Sequence, residues 1–154
     1  MTLRGRATFA WQSDYGQFYL IDRHDSAFRP PTQFTADIEK RSLFVPAAGL
    51  VVYTNDCLQQ HVRILVYDSE PELSPVECMS GNLWTRIETA VAVFPSRKFT
   101  ISSPSMPDPL PGGPVFFLDA AAVTAHVSWM EFHGSRDDSV PVEPDVIEIA
   151  FWPH

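Results

Sequence analysis

Cysteine, glycine and basic charge are all scarce in this 154-residue chain, and each scarcity narrows what the chain can be. Two cysteines, Cys57 and Cys78, allow one disulfide at most. With no export signal in view they are expected as reduced, partly buried thiols. No Cys-x-x-Cys pair offers a zinc spacing. After Arg4 and Arg6 the N-terminus has only Ala7 to Trp11 as an apolar stretch, shorter than the roughly 7–15 residues of a secretory signal. The expected compartment is therefore the cytoplasm. No apolar run reaches the roughly 18 residues that cross a bilayer, so no membrane partner is expected. Charged residues make up only 19% and hydrophobic ones 45%, a globular and not a disordered balance. The length fits a single domain spanning 1–154.

Helical periodicity is nearly absent as well, and alternation takes its place. His61 to Tyr67 puts Val62, Ile64 and Val66 on one face and Arg63, Leu65 and Tyr67 on the other. Leu83 to Phe94 reads as a long strand. Pro95-Ser96 then offers a turn, and Lys98 to Ser102 returns as the second arm of a hairpin. Further strands are expected at Gly5–Trp11, Gln17–Asp22, Leu50–Asn55, Val115–Asp119, Val123–His133 and Val146–Trp152. In the last of these Ile147, Ile149 and Phe151 face inward and Glu148 outward. Ala120–Ala122 is ambiguous and could add a helical turn. One true helix is expected near 35–41. Thr35 can cap it, Asp37 and Glu39 suit its first turn, Lys40 and Arg41 its last, and Phe34 and Ile38 could pin it to a sheet. Residues 103–114 hold five of the 14 prolines and read as a stiff loop. The pattern predicts an all-β, two-sheet antiparallel sandwich with one short helix.

The scarcity of bases is sharpest in the last third. Residues 99–154 carry eight acids against one base, Arg136, which gives −7 of the net −8. Residues 1–98 carry eleven acids against ten bases and account for the remaining −1. Asp137, Asp138, Glu143, Asp145 and Glu148 fall within one twelve-residue stretch. A second acidic group, Asp68, Glu70, Glu72 and Glu77, surrounds Pro71 and Pro75. Such a field repels nucleic acid and attracts a basic protein or a cation.

A set of short motifs runs in order along most of the chain: Tyr15-Gly16-Gln17-Phe18, Pro31-Thr32-Gln33-Phe34 leading into Asp37-Ile38-Glu39-Lys40, Gly49-Leu50-Val51-Val52, the His61–Tyr67 strand, the segment from Trp84 to Ser103, and Pro111-Gly112-Gly113-Pro114-Val115. In this order the chain resembles the competence protein J family of bacterial DNA-entry nuclease inhibitors. The resemblance implies a β-sandwich without catalysis that binds a nuclease whose groove is basic. The Pro-rich loop here is longer than the family pattern.

Carboxylates placed where phosphates would sit suit such a groove. The partner-binding residues expected are Asp137, Asp138, Glu143, Asp145, Glu148, Asp68, Glu70 and Glu72; the plainer alternative is that these acids only keep the body soluble. Glu143-Pro144-Asp145 and Glu70-Pro71-Glu72 offer a calcium ion only pairs of ligands. Glu131 and His133 share a strand face with His126 on the other, too few for zinc. No cofactor or metal is expected. A Gly-x-Ser-x-Gly elbow and a phosphate-cradling loop are both missing. An enzyme, including one using Asp137-Asp138 as a glycosidase pair, remains an alternative. A second alternative is a carbohydrate-binding sandwich that stacks sugars on Trp11 and Trp84.

Overall fold

A computed structural model describes residues 1–24, 28–54, 59–73, 83–105, 114–131 and 145–154. Among these residues ten strands form two five-stranded sheets. The first sheet contains β1 (Leu3–Gln12), β5 (Gln59–Tyr67), β10 (Val146–Pro153), β9 (Ala122–Met130) and β6 (Arg86–Val93), in that spatial order. The second contains β3 (Leu43–Phe44), β4 (Leu50–Tyr53), β2 (Gln17–Asp22), β7 (Lys98–Ser102) and β8 (Phe116–Phe117). All pairs are antiparallel except β5 with β10, which run side by side in parallel from His61–Val146 to Val66–Phe151.

The period-2 pattern is what builds the core. Val62, Ile64 and Val66 of β5 face inward next to Ile147, Ile149 and Phe151 of β10, and they meet Phe18, Leu20, Phe99 and Ile101 from the second sheet. Phe99 is the hub. Its ring lies 5.0 Å from Phe94, 5.1 Å from Phe151 and 4.9 Å from Phe116, the last nearly parallel at 16°. Phe94, Phe99 and Phe151 are fully buried, and each contributes roughly 1.5–3 kcal/mol by leaving water.

Three expectations need correction. Arg86–Val93 and Lys98–Ser102 are not a hairpin: β6 pairs with β9, whereas β7 pairs with β2 and β8 in the other sheet. The turn is real, with the Arg97 N–H donating to the Phe94 carbonyl at 2.8 Å. However, Phe94 is fully buried between the layers, and the buried Asp22 carboxylate accepts from the Ser96 N–H at 2.8 Å, so the turn carries the chain across the core. The inward face of β6 is also the small one, Ala90 and Ala92, while Val91 is exposed. Ala120–Ala122 makes no helical turn. Ala122 begins β9, and the Ala121 carbonyl accepts from the Phe94 N–H at 2.7 Å. A short strand, β3, was not expected.

The helix α1 (Ala36–Arg41) forms where its capping residues place it. The Thr35 hydroxyl accepts from the Ile38 N–H at 3.3 Å, and Ser42 ends the helix in the left-handed region at φ 54. Ile38 is buried, but Phe34 is not pinned beneath the helix; it stays 64% exposed, edge-on to Tyr53. The Arg86 guanidinium donates to the Lys40 carbonyl at 2.7 Å and to the Ser42 hydroxyl at 2.7 Å, which fixes the negative end of α1 against the edge of β6. Gly49 closes the same side: its N–H donates to the Val93 carbonyl at 2.9 Å, and a Cβ there would sit 2.6 Å from the Leu20 carbonyl. Cys57, Cys78 and most of the Pro-rich loop lie outside the described residues.

Candidate protein-binding surface

Strand register sorts the acidic residues between the two ends of the sandwich. One end gathers the β1–β2 turn, Thr54, Trp84–Thr85, Ser103–Ser105, Glu131 and Asp145. Its contacts tie it together: Thr54 N–H to Gly16 carbonyl at 2.8 Å, Thr85 N–H to Trp129 carbonyl at 2.7 Å, and Ser105 N–H to the Asp14 carboxylate at 2.7 Å. The opposite end holds Asp22–His24, Asp68–Leu73, Phe94–Arg97, Leu118–Ala121 and His154. On β5 the two ends are joined by the seven steps from His61 to Asp68, about 23 Å of strand.

At the first end, Asp145 is 5% exposed, and its carbonyl accepts from the His61 N–H at 2.8 Å. It lines a pocket of about 10 Å³ with Glu131, Arg86, Tyr53 and Thr54, room for no more than a water. The chain leaves this pocket at Glu131 and re-enters it at Asp145. Asp137, Asp138 and Glu143, between those points, lie outside the described residues, as does Glu77.

Glu148 does point to the outer face of β10, where it stands opposite Arg63 on β5 at 3.0 Å. Burial raises its carboxyl pKa above the ordinary value, and the Arg63 charge pulls in the other direction. The Arg63 Nε makes no hydrogen bond there, so the attraction is coulombic. The Glu148 carboxylate is thus half-buried and turned to Arg63 across the parallel β5–β10 pair.

At the second end, Asp68 accepts from the Thr2 N–H at 2.7 Å and the Ser69 hydroxyl at 3.2 Å. Arg4 stands 3.4 Å from it and 3.5 Å from Asp119. The Thr2 hydrogen bond leads the causes that hold the Asp68 pKa below the carboxylate norm. Glu70 and Glu72 are exposed on either side of buried Pro71. Asp68 and Glu70 form one wall of an open groove of about 730 Å³ on the outer face of the first sheet, with Thr124, His126, Trp152 and His154 across from them. Burial lowers the His126 pKa, because desolvation penalises the charged ring.

The tryptophans offered for sugar stacking are half-buried. Trp11 is edge-on to Phe9 at 6.4 Å, and Trp84 packs on Met130 and Val146. Among the described residues no three His, Cys, Asp or Glu side chains converge as metal ligands, and no helix is long and apolar enough to cross a membrane. The exposure of Tyr15 in the turn between β1 and β2 was not expected. Only the Tyr-Gly pair between two alternating runs hinted at a two-residue turn there.

Among the described residues the element order and layering define a two-sheet β-sandwich with one short helix against the edge of β6. The particular fold is that of ComJ. The chain is similar to the crystal structure of ComJ, inhibitor of the DNA degrading activity of NucA, from Bacillus subtilis, with a TM-score of 0.71 over 100% of both chains at 11% identity. It is also similar to a structure described as crocagin biosynthetic gene J, with a TM-score of 0.58 at 15% identity over 100% of this chain and 99% of that one. No protein-family model matches the sequence, and no curated protein does. The resemblance read from the order of motifs is thus borne out as a fold.

Proposed function

We propose that this chain is a non-catalytic protein that binds and inhibits a DNA-degrading nuclease in the cytoplasm of a bacterial cell. The observation that carries the reading is the full-length match to ComJ, a nuclease inhibitor, with no segment of either chain left over. The charge supports it. A net −8 concentrated after Phe99 complements the Lys- and Arg-lined groove of an enzyme that handles DNA, and opposed fields accelerate docking. Asp137, Asp138 and Glu143 serve as the phosphate-like carboxylates, with Glu70 and Glu72 as outlying acids. Asp145 and Glu148 hold the backbone from which the acidic segment departs. Asp68 contributes chiefly as the clasp of the N-terminal strand.

The test is direct. The tagged chain is used to capture proteins from its source organism, the retained nuclease is purified, and cleavage of plasmid DNA is followed with and without the chain. Inhibition that weakens as salt rises from about 50 to 300 mM supports the reading, because exposed charges further apart than a Debye length of roughly 8–10 Å stop interacting. A chain that retains no nuclease and slows none sinks it.

A further inference from the structure

The turn between β1 and β2 holds a tyrosine in a backbone geometry that tyrosine disfavours. Asp14 and Gln17 exchange both backbone hydrogen bonds, at 3.3 and 3.2 Å, leaving Tyr15 and Gly16 as a two-residue loop with φ 53 and φ 65. Positive φ at both central positions is the type I′ pattern, where Asn-Gly or Asp-Gly is preferred. Gly16 fits it, with the Thr54 carbonyl 3.3 Å from where a Cβ would be. Tyr15 does not: an aromatic side chain in the left-handed region is an outlier. Nor does burial compensate. At 75%, Tyr15 is the most exposed large hydrophobic side chain among the described residues. Strain of this kind persists where the surroundings impose it, and it concentrates at ligand clamps.

The neighbours of Tyr15 suggest what it serves. Gly16 is bonded to Thr54, and Tyr53 and Thr54 line the pocket from which Glu131 and Asp145 lead into and out of the acidic segment. Phe34, 64% exposed, stands edge-on to Tyr53 at 5.5 Å. Between Phe34, Tyr53, Gln17 and Pro31 lies a hollow of about 210 Å³. This end of the sandwich therefore carries Tyr15 and Asp14 on its turn and, around Tyr53, the exposed Phe34 ring with the hollow beside it and Glu131 in the neighbouring pocket. Buried protein–protein hot spots have this anatomy, with Tyr in the centre and charge at the rim.

We infer that Tyr15, with Phe34, is the desolvated anchor by which this chain docks on a basic protein partner, the acids around it forming the rim. The inference rests on the inhibitor reading and adds the place of contact. Charge complementarity selects the occupant: a chain of net −8 that sets Asp14 next to Tyr15 fits a cationic protein surface better than a second copy of itself.

The experiment compares four full-length proteins, the parent, Tyr15→Asn, Phe34→Ala and Phe117→Ala, as inhibitors of the captured nuclease acting on plasmid DNA. Each is also melted thermally and sedimented. Asn suits the turn better than Tyr, so Tyr15→Asn is expected to melt no lower than the parent while its inhibition weakens by on the order of tenfold or more. Phe34→Ala is expected to weaken inhibition in the same sense. Phe117, exposed 65% beneath Lys98 at the other end, serves as the control, and its replacement leaves potency unchanged. If the parent inhibits and Tyr15→Asn inhibits equally, the anchor is wrong and the inhibitor reading stands. A lower melting temperature for Tyr15→Asn shows that Tyr15 serves the fold, and overturns the anchor. Self-association of the parent that Tyr15→Asn abolishes assigns the ring to a second copy and overturns it too. A parent that inhibits nothing removes both proposals together.

Discussion

The two ends of the sandwich use the same kinds of residue for opposite purposes. At the end with Asp68, charge is consumed internally: one carboxylate ties down the Thr2 N–H and the Arg4 guanidinium, and Arg4 reaches on to Asp119. At the end with Asp145, Asp14 is likewise engaged by the Ser105 N–H. Two aromatic rings are nonetheless left outside there, against Phe117 alone among the described residues of the other end, and the turn that carries one of them is strained. The lesson is that an acidic residue near a loop is not evidence of a docking surface until its partners are known. Asp68 looks as available as Asp138 in the sequence, yet it belongs to a clasp.

The largest effect should come from the acids of the segment rooted at Glu131 and Asp145. Replacing Asp137, Asp138 and Glu143 together by Asn, Asn and Gln is expected to weaken nuclease inhibition by on the order of 100-fold at low salt, against a few-fold for Glu70→Gln with Glu72→Gln. Equal losses from the two sets, read in the plasmid cleavage assay, would break the contrast between the ends.

Next in size is the pair that lies between them. Arg63→Met strands the half-buried Glu148 charge and is expected to cost about 1–3 kcal/mol in chemical denaturation, with Arg63→Met/Glu148→Met recovering most of it. The pH dependence has a definite sign. Because burial holds the folded Glu148 pKa above 4.5, its contribution to stability is present below that value and is lost as pH rises through the folded pKa. Glu148→Gln should flatten that part of the profile.

His126 should behave oppositely and more weakly. Its folded pKa lies below 6.5, so stability is present above 6.5 and lost as pH falls through the folded pKa. Melting temperatures of the parent should therefore drop on the acid side of 6.5 more than those of His126→Asn. The smallest effect is at the clasp. Asp68→Asn is expected to leave the global melting temperature almost unchanged and to speed amide exchange at Thr2; unchanged exchange would show that the clasp is not what orders the N-terminus.

Legibility followed the physics of each element. β5 and β10 could be read because alternating Val and Ile against polar partners has one dominant solution, a strand with one face buried. The helix could be read from Thr35 and the charges at its two ends, although the exposure of Phe34 could not. β8 falls within the expected Val115–Asp119 strand but shortens to two residues, whereas β3, also two residues long, carries no period of its own and is defined by its neighbour β4. The β6–β7 hairpin failed for a related reason. Local sequence specifies a turn at Pro95-Ser96 but not the layer into which it delivers the next strand, and that depends on Phe94 finding Phe99 and Phe151 in the core. At the candidate surface the composition showed an acidic segment, but the pairing of Glu148 with Arg63 required β5 and β10 to lie in parallel register, 85 residues apart in the chain.

By itself, then, the sequence determined an all-β sandwich, its one helix and its lopsided charge, because these depend on periods, caps and counts that are local or additive. Only the tertiary structure decided which strands share a sheet, which acids are already engaged, and that Tyr15 and Phe34 stay exposed. Those outcomes depend on contacts between residues far apart in the chain, and no local pattern encodes them.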